Sequence, residues 1–548
     1  MNRIPQRNTA MSPGTTSSLD VLLVGYENQE NIGLRSIMAY LRKHGYRVMI
    51  APFYPGHDDL VLQPAQEYKP RLVGFSLIFQ YTIDDFAALM RRLRQHGVEA
   101  HFTAGGHFPS LRPHETLKLI PELDTIVRFE GELTLLELLE RLDTPEQWKS
   151  VAGLAYRNGS EVQLTAPRPL ISDLDSLPFI YRDESWCLED NGLKVAAMLA
   201  SRGCLYDCSF CSIRQFYGNA PGLLRRVRSP QAVVNEMLSL FTEKGVRFFS
   251  FQDDDFAMRT RDQRQWLRSF LDALVRAGLK EQIRWKISCR VDDLEPEILE
   301  RMIEHGLIAV YLGVESGSEA GLRTLNKRST VAQNRAAIEL LKRHNLVMAM
   351  GFMLLDPSSS VETIRENINF LRDVGEDGYF ATNFCKMLPY AGTPIEAELR
   401  LAGRLKGTAG QPYYGFLDPN LDCFDFLVKK IFHRRNFTVE GNVALLQDAS
   451  FNFRLAASPG NGGLTEAVGA VLRRLITRSN RTALETLETL LEETISQGSE
   501  ALLAEQETVM KIAEREWNEE MIIEAELRAL KTAAIGESLC LTAGIGIT

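Results

Sequence analysis

Residues 196–211 read AAMLASRGCLYDCSFC, and this stretch decides how the chain can fold. Its first five residues are apolar and too few for an ordinary helix, so they predict a buried strand. Cys204, Cys208 and Cys211 follow with the spacing C-x3-C-x2-C. Cysteine thiolates so close together normally ligate an iron–sulfur cluster. Zinc usually takes four ligands in two pairs, and no second C-x2-C lies nearby. Three thiolates would leave one iron of a four-iron cluster open to a small molecule.

This run resembles the radical S-adenosylmethionine (SAM) superfamily, whose signature is C-x3-C-x-aromatic-C. Phe210 occupies the aromatic position directly before the third cysteine. The resemblance implies that the three cysteines hold a [4Fe–4S] cluster and that the amino and carboxyl groups of SAM chelate its open iron. The alternative is that three structural cysteines stand at this spacing by chance.

The bulk composition is that of an ordinary globular protein with more than one core. A chain of 548 residues predicts two to four domains. With 62 basic and 71 acidic side chains the formal net charge is −9, which argues against nucleic acid or an anionic membrane as the main partner. No apolar run approaches the roughly 18–20 residues of a membrane span.

The ends and the remaining cysteines favour the reducing cytoplasm. Residues 1–18 lack the apolar segment of a secretion signal, and we expect them to form a disordered lead. Eight cysteines are few for this length, and those outside the motif are too scattered for a disulfide framework. These scattered cysteines are Cys187, Cys289, Cys385, Cys423 and Cys540.

Residues 19–150 alternate between short apolar runs and segments with helical periodicity. Such alternation predicts an open parallel sheet with helices on both faces, a Rossmann-like or flavodoxin-like α/β domain. Ligands of such sheets bind beyond the carboxyl ends of the strands, where this region carries several glycine loops.

This region resembles the cobalamin-binding domain that precedes many radical SAM cores. The shared elements are VGFS at 73–76, AGG at 104–106 and EGE at 130–132. The alternative is a flavodoxin-like domain that only packs against the core, with turn glycines that carry no ligand. The resemblance implies that cobalamin contacts Gly74, Ser76, Phe79, Gln80, Gly105, Gly106, His107, Glu130 and Gly131.

The lower face of the corrinoid is expected to lack a histidine ligand. Relatives that supply one carry D-x-H-x-x-G after the first strand, whereas residues 26–33 read YENQENIG. Alignment at the end of the VGFS strand places Phe79 and Gln80 nearest this face. His107 is expected near the corrinoid tail, and a plain loop histidine is the alternative.

The alternation resumes after a proline-rich linker at 151–193. Residues 194–395 contain six predicted βα units, fewer than the eight of a closed TIM barrel. This number suits the partial barrel of the radical SAM superfamily. Residues 396–548 are predicted to be mostly helical, with apolar residues at three- and four-residue spacing and no recognised motif.

The SAM contacts are expected at the carboxyl ends of the barrel strands. By resemblance, Asp253 and Asp254 receive the SAM ammonium, with a helix N-cap cluster as the alternative. Glu315 lies in a GVESG segment whose acidic side chain accepts the ribose hydroxyls, with a buried salt bridge as the alternative. Arg290 is a candidate partner for the SAM carboxylate, because a guanidinium matches a carboxylate bidentately.

These resemblances imply a cobalamin-dependent radical SAM enzyme. The leading hypothesis is methyl transfer from SAM through methylcobalamin to a carbon centre of a specialised metabolite or peptide, with electrons from a flavodoxin- or ferredoxin-type donor. The alternatives are rearrangement or cyclisation without methyl transfer, methylation without a radical, and a non-catalytic corrinoid or iron–sulfur sensor. Neither the residue that performs the chemistry nor the substrate follows from the sequence.

Overall fold

A computed structural model of the chain describes residues 19–27, 30–183, 189–190, 193–256, 258–456, 462–498, 502–503 and 506–542. The chain divides into two compact units. The first unit comprises Met1–Phe256, Arg261–Arg284 and Leu388–Tyr413. The second unit comprises Ala257–Thr260, Trp285–Met387 and Tyr414–Thr548. The predicted lead at 1–18 and Cys187 lie outside the described residues.

The first unit begins with a seven-stranded sheet in the order β2-β1-β3-β4-β5-β6-β7. The strands β1 to β5 are parallel, and the sheet order reverses between β1 and β3. The strands are β1 Val21–Gly25, β2 Val48–Pro52, β3 Leu72–Ser76, β4 His101–Gly105, β5 Thr125–Val127, β6 Leu154–Asn158 and β7 Glu161–Leu164. The helices are α1 Ile32–Lys43, α2 Asp59–Tyr68, α3 Ile83–Gln95, α4 His107–Leu111, α5 Pro113–Leu119, α6 Glu132–Glu140 and α7 Pro145–Trp148.

Both faces of this sheet are covered, as the sequence predicts. In β1, Leu22 and Val24 pack into one apolar cluster, while Val21 and Leu23 pack into another. A strand buried on both faces reads as a continuous apolar run rather than an alternating one.

The first part of the segment predicted as a linker forms a hairpin that extends this sheet. β6 pairs antiparallel with β5, with Leu154 opposite Val127, and β7 pairs with β6. Leu154 and Ala155 are fully buried, so their burial compensates the entropy of ordering this segment.

The first unit also holds the strands that flank the cysteine motif. β9 and β12 pair in parallel, and β10 pairs antiparallel with β11. The strands are β8 Glu189–Asp190, β9 Leu193–Met198, β10 Ser201–Arg202, β11 Arg226–Val227 and β12 Phe248–Phe251. The helices are α8 Ile213–Gly218, α9 Pro230–Lys244 and α10 Arg261–Arg276.

The second unit continues the βα repeat with four parallel strands in the order β13-β14-β15-β16. The strands are β13 Arg284–Arg290, which begins at the last residue of the first unit, β14 Leu307–Glu315, β15 Val347–Leu355 and β16 Cys385–Lys386. The helices that accompany them are α11 Pro296–Glu304, α12 Glu319–Thr324, α13 Val331–Arg343 and α14 Val361–Gly375.

The remaining elements complete the predicted α/β class, with a parallel-sheet N-terminal domain, a half-barrel sheet and a helical C-terminal region. Among the described helices, none combines the length and the apolar character that a membrane span requires. The elements after the half-barrel are α15 Pro394–Leu401, β17 Leu405–Gly407, β18 Pro412–Tyr414, α16 Asn420–Phe437, α17 Asn442–Ala456, α18 Gly462–Gln497 and α19 Gln506–Thr542.

Candidate functional site

The loop that carries the three cysteines is fixed at its base by two aspartates that follow β12. Asp253 accepts hydrogen bonds from the Ala200 amide at 3.1 Å and from the Ser201 hydroxyl at 2.5 Å. Asp254 accepts one from the Gly203 amide at 2.8 Å. These carboxylates therefore hold the strand end from which the loop departs.

Gly203 is required at the start of this loop. Its φ is +85°, and a side chain there would overlap the carbonyl oxygen of Leu224. Only glycine combines this left-handed conformation with so close an approach of another backbone. The turn delivers Cys204 immediately after the β10 strand.

The three cysteines are free thiols; Cys208 is buried, and Cys204 and Cys211 are partly buried. The Cys211 amide donates to the Cys208 carbonyl at 3.2 Å, which folds the motif into a tight turn. Burial raises the pKa of the Cys204 and Cys211 thiols to about 12, and Asp254 adds to the effect. A thiolate is therefore stable here only when a bound cation compensates its charge.

The chemistry of these thiols suits an iron–sulfur cluster. Within the described residues, no three His, Cys, Asp or Glu side chains converge closely enough to hold one metal ion. In a four-iron cluster each cysteine binds a different iron, so three free thiols on one loop fit that group.

The carboxyl end of β3 presents an exposed apolar surface, which we call the β3 platform. It consists of Ile78, Phe79 and Tyr81, and Phe79 is 45% exposed. The Phe79 and Tyr81 rings stack with centroids 5.3 Å apart and planes within 8°. The platform adjoins the point where the sheet order reverses between β1 and β3, the usual ligand position in such sheets. A flat, apolar macrocycle such as a corrin fits this surface.

Gln80 does not belong to the platform, although the sequence placed it there with Phe79. Its side chain is buried; the amide nitrogen donates to the Pro389 carbonyl at 3.4 Å, and its oxygen accepts from the Ala391 amide at 2.7 Å. Gln80 therefore connects the β3 loop to the turn that follows the half-barrel sequence.

Replacing Gln80 with alanine is expected to lower the free energy of unfolding by about 1–3 kcal/mol, because it leaves two backbone groups without a partner. Denaturant unfolding measures the change. Gln66→Ala is the matched control, since the Gln66 amide makes one exposed hydrogen bond to the His96 carbonyl. Equal effects of the two substitutions would contradict the assignment.

The glycine loop after β4 packs against the loops that follow β3 and β5 at the carboxyl ends of the strands. A side chain on Gly106, whose φ is +116°, would overlap the backbone of Leu77 and Ile78. Gly105 approaches the Val127 carbonyl. Gly106 thus allows the β4 loop to lie directly on the loop that carries the platform.

His107 links this loop to the cysteine motif. Its ring stacks on Phe216 with centroids 4.4 Å apart, and its Nδ1 lies 2.9 Å from the Ser212 hydroxyl, one residue after Cys211. Burial lowers the pKa of His107 to about 4, so the ring is neutral. The sequence left open a corrinoid-tail contact or a plain loop histidine; the structure gives His107 defined partners on the cysteine loop.

Gly74 and Ser76 lie in β3 itself. A side chain on Gly74 would contact the Leu23 side chain at 3.0 Å, so this glycine serves packing within the sheet. Ser76 is the last residue of β3 and lies beside Gly25 at the end of β1.

The EGE turn supplies carboxylates to arginines beside the cysteine loop. Glu130 pairs with Arg202 at 3.0 Å and with Arg226 at 2.8 Å, and it accepts from the Ile171 amide. Arg202, which directly precedes Gly203, also pairs with Glu132 at 2.6 Å.

The charges in this network are nearly buried. Burial opposes ionisation of Glu132, but Arg202 and a hydrogen bond from Ser36 hold its pKa below the ordinary value. A side chain on Gly131 would meet Ile37 at 2.9 Å. The sequence assigned Glu130 and Gly131 to cobalamin. In the structure Glu130 clamps Arg202, at the strand that enters the cysteine loop, whereas Gly131 packs against Ile37.

In the second unit, Glu315 and Arg290 lie at the ends of neighbouring strands. Glu315 has a φ of +67° and pairs with Lys327 at 2.8 Å. Arg290 donates to Asp292 at 2.9 Å and to the Lys327 carbonyl at 2.5 Å. Arg290 therefore already has a carboxylate partner, which the neighbouring Asp292 could have indicated.

The sequence missed Arg225 as a candidate site residue. Its positive charge acts on Asp253 and Asp254, in the unit that carries the cysteine loop. Its Nε is buried and has no hydrogen-bond partner among the described residues. Arg225 is thus a second candidate for an anionic ligand group, beside Arg290.

Comparison with known families identifies two domains. Residues 19–139 match the B12-binding domain, and residues 198–371 match the radical SAM superfamily. These are the domains for cobalamin and for a [4Fe–4S] cluster with SAM, in the order that the sequence predicted.

Two relatives of this chain are named for different types of reaction. The anaerobic magnesium-protoporphyrin IX monomethyl ester cyclase of Cereibacter sphaeroides is 31% identical over 63% of this chain and 56% of its own length. An uncharacterized methyltransferase of Pyrococcus horikoshii is 27% identical over 75% of this chain and 84% of its own length. The chain therefore spans little more than half of the cyclase.

A solved structure shares the fold. The cobalamin-dependent SAM radical enzyme OxsB with aqua-cobalamin bound matches 95% of this chain and 81% of its own length, with a TM-score of 0.65 and 16% identity.

Proposed function

We propose, because the chain belongs to the cobalamin-dependent radical SAM family, that it transfers a methyl group from SAM by way of cobalamin to a carbon centre of a small metabolite or peptide. The observation that carries the proposal is the joining of two candidate cofactor surfaces within the first unit. His107 ties the loop beside the β3 platform to Ser212, next to Cys211. Glu130 ties the same domain to Arg202, just before the cysteine loop.

Each candidate residue has one part in this reaction. Cys204, Cys208 and Cys211 would hold the cluster, and Arg225 would bind the carboxylate of SAM. The β3 platform would support the lower face of the corrin, with no histidine in residues 26–33 to ligate cobalt. When bound, the cofactors supply reductive cleavage of SAM and methyl transfer, and a flavodoxin- or ferredoxin-type protein would supply the electrons.

Glu315 is proposed to accept hydrogen bonds from the ribose hydroxyls of SAM. Its carboxylate pairs with Lys327 through one oxygen at 2.8 Å, and its side chain is 12% exposed. The second oxygen has capacity to accept from ribose hydroxyls. Asp253 and Asp254 are proposed to orient the loop and to favour the ammonium of SAM by their charge.

The experiment that tests methyl transfer needs no substrate. Anaerobic protein reconstituted with iron, sulfide and hydroxocobalamin is reduced and given SAM labelled with deuterium in its methyl group. We expect the label in the cobalamin fraction, with one S-adenosylhomocysteine formed per label transferred. A protein that forms neither S-adenosylhomocysteine nor 5′-deoxyadenosine would be a sensor, and methyl transfer would be rejected.

The second candidate function is cyclisation or rearrangement without methyl transfer, which the 31% identity to a cyclase favours. The same experiment separates the two candidates. A cyclase-type enzyme would form 5′-deoxyadenosine without S-adenosylhomocysteine, and no deuterium would reach the cobalamin fraction.

Phe79→Ala is expected to weaken cobalamin retention about tenfold, because it removes a large apolar ring from the platform. The measurement is cobalt retained after desalting across a range of cobalamin concentrations. Leu164→Ala is the matched control, because Leu164 is exposed to 44%, close to the 45% of Phe79, but lies on β7. Equal cobalt retention in both variants would contradict the placement of the corrin.

A further inference from the structure

The two faces of the sheet in the second unit differ along β13. One face carries polar side chains, and the opposite face carries core residues. Along β13, Trp285, Ile287 and Cys289 are buried. The Trp285 indole donates to the His305 carbonyl just beyond α11, which identifies this face as the one covered by helices. Because side chains alternate along a strand, Lys286 and Ser288 project from the opposite face.

The strand register extends this polar face to the next strand. Ser288 lies opposite Tyr311 of β14 in the parallel pair, and Lys286 lies opposite Ala309. Tyr311 is 46% exposed, so the face remains accessible at this level. The Tyr311 hydroxyl and the Glu315 carboxylate both face Gly351 of β15, where a side chain would approach the hydroxyl to 2.8 Å and the carboxylate to 3.1 Å. The glycine therefore leaves room in front of the hydroxyl.

These side chains have no partners among the described residues: Lys286, Ser288 and Tyr311 make no side-chain hydrogen bond or ion pair there. Two lysines with buried side chains in the same unit show the usual arrangement. Lys327 pairs with Glu315 and Lys386 pairs with Asp425, both at 2.8 Å. Lys286 is thus distinguished from its neighbours by an amine that no carboxylate compensates.

The electrostatics around Lys286 favour an anion, and Glu315 lies at the Tyr311 end of the face. Burial alone lowers the pKa of Lys286, with no carboxylate acting against it. Burial, Glu315 and Cys385 raise the pKa of Tyr311 to about 12, so its hydroxyl stays a donor. A protonated amine and two hydroxyls together present several hydrogen-bond donors to a bound group. A partly buried amine with no carboxylate partner contributes little to packing, which indicates a role in binding.

We propose that Lys286, Ser288 and Tyr311 bind an anionic group of the substrate, either a carboxylate or a phosphate. The inference rests on the proposed function only in taking this face of the half-barrel as the substrate side. It narrows the substrate class to molecules with at least one such group, held by Lys286 as the charge partner and by the two hydroxyls as orienting donors.

Competitive amine labelling of the reconstituted protein tests the site directly. Trace acetic anhydride acetylates lysines, and mass spectrometry of peptides reports Lys286 relative to the exposed Lys118 in the same sample. The probes are benzoate, phenyl phosphate and neutral benzamide, which share one ring. We expect benzoate or phenyl phosphate to protect Lys286 at least about threefold at tens of millimolar, as a dissociation constant near 1–10 mM requires. Protection by benzoate assigns a carboxylate and protection by phenyl phosphate assigns a phosphate. No protection by either anion, or equal protection by benzamide, would overturn the proposal.

Two variants separate charge recognition from structure. Lys286→Met is expected to weaken binding of the protecting anion about tenfold in calorimetry, whereas Lys286→Arg, which keeps the charge, should stay within about threefold. Lys286→Met should also unfold at the same or a higher temperature, because it removes an uncompensated charge. Unchanged anion binding in Lys286→Met, or a lower unfolding temperature in that variant, would overturn the proposal. Because these measurements involve no SAM turnover, they fail or succeed independently of methyl transfer.

Discussion

Cys208→Ala is expected to remove most of the iron and to lower SAM cleavage by more than about a hundredfold. Residues that only support metal ligands typically affect affinity or activity by about 10–100-fold, and a ligand matters more. Cys208 is the most buried of the three motif cysteines, and its carbonyl accepts the Cys211 amide. Its loss therefore removes one iron ligand from the centre of the motif.

The measurement combines iron content after anaerobic reconstitution with formation of 5′-deoxyadenosine. Cys423→Ala is the matched control, since Cys423 is also buried but lies on α16 of the helical region. We expect Cys423→Ala to keep the wild-type iron content. Full iron retention in Cys208→Ala would contradict the cluster assignment.

Glu130→Ala is expected to lower the free energy of unfolding by about 3–5 kcal/mol, because it leaves a buried arginine without its carboxylate. Arg226 has a side chain only 2% exposed, and Glu130 is the acidic partner in its ion pair. Arg202 retains Glu132 after the substitution. Denaturant unfolding of the two proteins gives the difference directly.

Glu137→Ala is the control for this prediction. Glu137 pairs with Arg141 and Arg168 but is 25% exposed, so its loss should change the free energy of unfolding by less than about 1 kcal/mol. We also expect Glu130→Ala to lose iron more readily, because Arg202 precedes the turn at Gly203. Equal destabilisation by both variants would contradict the role of Glu130 as the partner of the buried Arg226.

The cysteine motif and the βα order could be read from the sequence because both are local. Three cysteines within eight residues identify a candidate cluster site without reference to any distant residue. The run VLLVG predicts a strand covered on both faces, and all five residues of β1 are buried. The end of the N-terminal sheet was less readable, since the hairpin at 154–164 pairs with β5 across two intervening helices.

The roles of Gln80 and Glu130 depend on partners far along the chain. Gln80 bonds to a carbonyl 309 residues away, and Glu130 to a guanidinium 96 residues away. A glutamine and a glutamate look the same in sequence whether they face a ligand or a distant loop. Only the folded arrangement distinguishes these two cases.

Two other residues left signals that local reading could use. Asp292 stands two positions after Arg290 and bonds to its guanidinium. Along β13 the sequence RWKISCR alternates, which places Lys286 and Ser288 on one face. That the amine of Lys286 is uncompensated could not be predicted, because every carboxylate near it would have to be known.

The central claim is that one chain holds both a corrinoid and a four-iron cluster. The most direct test is the cobalt-to-iron ratio of the whole protein after anaerobic reconstitution with iron, sulfide and hydroxocobalamin and then desalting. We predict about one cobalt per four irons. Four irons without cobalt would contradict the claim and leave a SAM-cleaving enzyme whose N-terminal sheet serves another ligand.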